Sequence, residues 1–104
     1  MTSKKTLELA SYQRKWLRSK AHSLNPVVLL GDSGLTSNVL YAIDAALLAH
    51  ELIKVRLRKP EDKKAMAQSI ADQSGAAMCG LVGHTVILYR PHPEEPTIAL
   101  PDRD

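Results

Sequence analysis

Cysteine and aromatic residues are nearly absent from this chain, which has one cysteine, one tryptophan, three tyrosines and no phenylalanine. Cys79 alone can form no internal disulfide, and no cysteine cluster exists to found a zinc site. His22, His50, His84 and His92 are scattered without metal-ligand spacing and read as helix-end or turn residues, so no metal or cofactor is expected. Four aromatics make no platform on which bases could stack in succession, and Trp16 is assigned to packing on the first strand. No apolar run approaches the roughly 18 residues of a membrane span. The basic start, Met1-Thr2-Ser3-Lys4-Lys5, leads into no apolar signal region. A cytoplasmic protein with no membrane partner is the expectation.

Catalytic constellations are missing too. Gly31-Asp32-Ser33-Gly34 spells the local sequence around the nucleophile of trypsin-like proteases, but 104 residues are too few for two barrels. No His–Asp framework accompanies Ser33, and no third group activates it beside Asp32. A Walker-type phosphate loop needs Gly-Lys-Ser/Thr after the glycines, and the chain has Leu35-Thr36 there. The chain is therefore not expected to be an enzyme.

What is present is a basic globular composition. Hydrophobic residues at 44% and charged residues at 24% suit one domain with a single modest core. The net charge of +3 is unevenly spread. Glu94, Glu95, Asp102 and Asp104 against Arg103 give the last fourteen residues −3, which leaves +6 on residues 1–90. The cations gather in residues 4–20 and 54–64, a distribution that suits a polyanionic partner.

Residues 1–8 read as a loose basic tail, residues 9–90 as the domain, and residues 91–104, with four prolines, as an extended acidic tail holding at most a short edge strand at 97–100. Ser11 is expected to cap a helix that runs to about residue 22 and buries Leu17 and Ala21, before Pro26 forces extended backbone. Residues 27–30 form a short strand. Thr36 caps a second helix with Val39, Ile43 and Leu47 at four-residue spacing, ending near His50. Residues 52–58 form a strand parallel to the first. Pro60 opens a third helix with Glu61 and Asp62 in its first turn, Met66 and Ile70 inside, and Gly75 just past its end. Two strands, residues 77–82 and 85–90, close a hairpin across Gly83-His84. The fold class is α/β, in the α+β two-layer sense, with order α-β-α-β-α-β-β.

Two stretches carry the candidate site. Gly31, Asp32, Ser33 and Gly34 join a strand to a helix N-terminus, where unpaired amides and the positive end of the dipole favour anions. In the strand that follows, Ile53, Val55 and Leu57 alternate with Lys54, Arg56 and Arg58, so period two lays three cations along one sheet face. Such neighbours stand roughly 6.6–6.8 Å apart, comparable with successive phosphates. Arg14 and Arg18, four apart on the first helix, add a like-charged pair that an anion would stabilise. Together they read as an RNA-phosphate cradle.

Several stretches jointly resemble one family. They are Leu17-Arg18-x-x-Ala21-His22-x-Leu24-x-Pro26-Val27-Val28, Gly31-x-x-Gly34-Leu35-Thr36, His50-Glu51-Leu52-Ile53-Lys54-Val55, Gly75-Ala76 and Val86-x-Leu88-Tyr89-Arg90. The pattern is similar to the CRM domain, named for chloroplast RNA splicing and ribosome maturation, in its free-standing bacterial YhbY-type form. The resemblance implies a non-catalytic RNA-binding module with a mixed four-stranded sheet, similar to the C-terminal domain of translation initiation factor three. It implies that residues 31–34 contact RNA with the neighbouring basic residues, and that the partner is precursor large-subunit ribosomal RNA in pre-ribosomal particles. The chain is expected to act as a monomer. Two positions depart from the family pattern, Asp32 where a cation is frequent inside the loop and Asn25 where lysine often precedes the proline. A ribosome-associated protein–protein interaction module, using its helices without specific RNA recognition, is the alternative.

Overall fold

The computed structural model describes residues 9–31, 33–58 and 62–101. Seven elements follow one another: α1 (Ser11–Ala21), β1 (Val28–Leu30), α2 (Ser37–His50), β2 (Leu52–Leu57), α3 (Lys63–Ser74), β3 (Ala77–Val82) and β4 (Thr85–Tyr89). The strands form one mixed sheet in the order β1-β2-β4-β3, with β1 and β2 parallel and the other neighbours antiparallel. The element order, the parallel β1–β2 pair and the β3–β4 hairpin are as expected; the antiparallel β2–β4 pair, which sets the sheet order, comes from the structure.

Alternation along the strands builds two apolar layers. Ile53, Val55 and Leu57 of β2, with Val86 and Leu88 of β4, pack on Ile43 and Leu47 of α2 and Ile70 of α3. Leu52, Ile87 and Tyr89, one residue out of phase, meet Leu17 and Ala21 of α1 on the other face. The helices thus divide two to one over the sheet. Contacts of α1 run to β3, β2 and β4, which leaves the β1 side of that face uncovered.

The helix ends show how local chemistry sets the boundaries. Thr36 caps α2 as expected, its hydroxyl accepting from the Val39 amide at 3.2 Å. Gly75 ends α3 in the left-handed region at φ 72°. Two caps differ from expectation. Ser11 is the first residue of α1 rather than its cap; Ala10 holds that place, its amide donating to Gln13 Oε1 at 3.0 Å, while the Ser11 hydroxyl accepts from Arg14. Asp62 is the cap of α3 rather than a first-turn residue, because its short carboxylate reaches the Ala65 amide at 3.1 Å. Pro60 and Glu61 lie outside the described residues.

Glu51 holds the C-terminal segment in place. It ends α2 at φ 66°, and its amide donates back to the Leu47 carbonyl at 2.8 Å. Its carboxylate accepts from the His92 amide at 2.6 Å, the Thr97 amide and hydroxyl at 2.9 and 2.7 Å, and the Ile98 amide at 2.9 Å. Those amides bond a side chain instead of a strand, so residues 97–100 form none. Ile98 and Leu100 pack beside α1 with Leu9 and Trp16. Arg90 fastens the end of β4 to both helices on the far face, pairing with Asp44 at 2.8 Å and donating to the Ser74 carbonyl at 2.7 Å.

Candidate nucleic-acid interface

On the α1 face of the sheet, between that helix, residues 24–26 and strands β2, β3 and β4, lies a groove of about 910 Å³. Lys15, Arg18 and His22 wall it on one side, Lys54 and Arg56 on the other. Among the described residues that line it there is no carboxylate. The stripe Lys15, Arg18, Ser19, His22 has helical periodicity, which is why one face of α1 delivers it.

Each cation has a structural reason for its place. Arg18 lies across β3 and donates to the Cys79 carbonyl at 2.9 Å. It can do so because residue 80 is glycine: a Cβ there would stand 2.4 Å from Arg18 Cδ. Lys54 donates from Nζ to the carbonyls of Leu24 at 3.0 Å and His22 at 3.4 Å, at the negative end of α1. Arg56 is exposed, held in register between Leu29 of β1 and Thr85 of β4.

The expected site residues do not all converge. Arg18, Lys54 and Arg56 share the groove. Arg14 does not: successive four-residue steps on a helix rotate by about 40°, so Arg18 sits between Arg14 on one side and His22 on the other. Arg14 bonds the Leu9 carbonyl and Ser11, and lines a smaller cleft of about 380 Å³ at the β3 edge with Lys64 and Gln68 of α3. Arg58 lies exposed just beyond the end of β2.

Gly31, Ser33 and Gly34 form the turn after β1, and Asp32 lies outside the described residues. The turn is tight: the Gly34 amide donates to Gly31 O, and the Thr36 amide to Gly34 O, each at 3.1 Å. These two amides are therefore engaged internally rather than turned out toward an anion. Gly34 has φ +74°, and a Cβ there would meet Met66 Cε of α3 at 3.8 Å. The turn thus leans toward the α2–α3 side of the sheet end, and its residues do not line the groove. A ligand touching both must bend around that end.

Sequence reasoning missed Lys15 and the apolar lining. Lys15 had a signal, the three-residue spacing to Arg18. Val82 had a weaker one. The β3 register shifts between Met78 and Gly80, so Cys79 and Val82, three apart, face the same side. A glycine inside a strand pattern is the only trace of that bulge. Cys79 is buried, and desolvation pushes its thiol up to about 11, which keeps it a packing residue. Trp16 packs with Leu9, Ile98 and Leu100 against the α1-face cluster rather than on the first strand, with the Lys20 ammonium 5.2 Å from its ring centre. No helix of the described residues is long and apolar enough to cross a membrane.

Comparison with known proteins places this architecture. A family model described as the CRS1 / YhbY (CRM) domain matches residues 9–90. A Haemophilus influenzae protein named "RNA-binding protein" is 44% identical over 95 residues, covering 89% of this chain and 95% of that one. YqeI of Bacillus subtilis, named a probable RNA-binding protein, is 37% identical over 89% of this chain and 99% of its own. The solution structure of SAV1595 from Staphylococcus aureus superposes with a TM-score of 0.79 at 31% identity, over 90% of this chain and all of that one.

Proposed function

This chain belongs to the CRS1/YhbY (CRM) domain family, and we propose that it binds RNA through the cationic groove beside α1. The observation that carries the reading is the convergence of Lys15, Arg18, Lys54 and Arg56 on one open face with no acid among the described lining residues. Cations that line one groove raise its positive potential and attract an array of phosphates. Arg58 and the loop of Gly31, Asp32, Ser33 and Gly34 extend the contact around the sheet end, and Arg14 extends it toward the cleft at the β3 edge. The names of the relatives support RNA as the ligand class. The role is binding rather than catalysis, in the cytoplasm, as a monomer.

The target we assign is precursor large-subunit ribosomal RNA in pre-ribosomal particles, which the family resemblance supports. Sedimentation of lysate through sucrose at low and high salt tests it. Co-migration with large-subunit precursors at low salt, lost at high salt, is the expected result. Residence at the top of the gradient at both salts contradicts the ribosomal target.

One observation favours a second reading, protein–protein contact on the ribosome. Tyr41 and Leu48, seven apart on α2, are exposed on its outer face. Association with pre-ribosomes that survives RNase and high salt would select this reading.

A further inference from the structure

The groove is not merely basic. Six large apolar side chains are exposed among the described residues; Leu24 and Val82 line the groove with Lys54 and Arg56, and Val27 and Leu29 lie beside it on the adjoining β1 edge of the same sheet face. Leu29 is 57% exposed and stands beside Arg56 in register; Val82 is 65% exposed and pairs with Thr85, the next neighbour of Arg56. Val27, 51% exposed, donates its amide to the Lys54 carbonyl. Alternation puts Val27 and Leu29 on the groove face, since Val28 and Leu30 pack on the opposite side. The groove and the adjoining β1 edge together make an aliphatic floor studded with cations.

Resting on the RNA-binding reading, we infer that the groove takes unpaired nucleotides, with base faces on this floor and phosphates on the cations. The argument is one of matching surfaces. A paired helix hides its base faces within the stack and offers phosphates and 2′-hydroxyls, so it can use the cations but gives the aliphatic groups nothing apolar to cover. Splayed nucleotides present a flat apolar face and a phosphate in alternation, as the groove does. A basic protein segment would meet Lys15, Arg18, Lys54 and Arg56 with like charge. The bulge in β3 fits the same account, because it turns Val82 to the groove side at the cost of regular pairing.

The test measures the full chain by fluorescence anisotropy against three RNAs of equal phosphate number: an unstructured single strand, a fully paired hairpin and an abasic ribose-phosphate chain. The single strand is expected to bind about tenfold tighter than either of the others. Leu29→Ser with Val82→Ser, both at exposed positions, should lower single-strand affinity about fivefold while leaving the salt dependence and the abasic affinity unchanged. Equal affinity for all three RNAs overturns the inference and leaves RNA binding standing, as does a folded double variant with unchanged single-strand affinity. No salt-dependent binding to any of the three overturns the underlying reading as well.

Discussion

Glu51 shows what one side chain can hold. Burial alone pushes its carboxyl up, but the His92 amide, the Thr97 hydroxyl and amide and the Ile98 amide outweigh that and bring it from 4.5 down to about 2. A carboxylate depressed in the folded state stabilises above its unfolded value and loses that contribution as pH falls through the folded one. The shift corresponds to a contribution on the order of 3 kcal/mol, present above about pH 4.5 and fading toward pH 2. Glu51→Gln should therefore cost about 2–3 kcal/mol in urea unfolding at pH 7, with the deficit shrinking near pH 2.5. A deficit equal at both pH values would refute the charge-based account. Nothing local in the sequence announces this role, because the donors arrive more than forty residues later.

The two glycines of the loop also differ in what they tolerate. Gly34 needs its positive φ, whereas a Cβ on Gly31 meets nothing within 4 Å. Gly31→Asp should fold with a stability change within about 0.5 kcal/mol and weaken RNA binding, while Gly34→Asp adds backbone strain of about 1–2 kcal/mol to the same charge effect. Paired thermal melts and binding curves separate the two.

At the scale of elements, α1 is positioned by apolar contact and by one side chain laid over a strand. Leu17 and Ala21 were legible from their spacing, as were the stripe of α2, the alternation of β2 and the hairpin. The seat of Arg18 on Gly80 was not, because it joins residues 62 apart and depends on a missing Cβ. Gly80→Ala should cost about 1–2 kcal/mol by displacing Arg18, and that cost should vanish in an Arg18→Ala background. A double-mutant cycle by urea unfolding reads the coupling, and strict additivity would contradict the contact. The site itself was half legible. Charge and periodicity indicated Arg18, Lys54 and Arg56, but Arg14 fell to the neighbouring cleft and the β3 bulge hid Val82.

For the whole molecule, the sheet acts as a wedge with the cationic groove on one face and the glycine turn at its end, leaning toward the other. Arg90 and Glu51 lock the opposite end of the sheet, where neither touches the groove. The Glu51 and Arg90 anchors can therefore be altered without touching the groove, whereas Arg18 serves both the seating of α1 and the groove. The most direct measurement is the salt dependence of affinity for a single-stranded RNA, for the wild type and for Arg56→Ala. Neutralising about six phosphates of a single strand, at about 0.7 each, gives a slope of log K against log salt of about −4. Removing Arg56 should reduce its magnitude by about 0.7 with the thermal melt unchanged. A flat wild-type plot, or a slope that Arg56→Ala leaves as it was, would contradict the assignment of the groove.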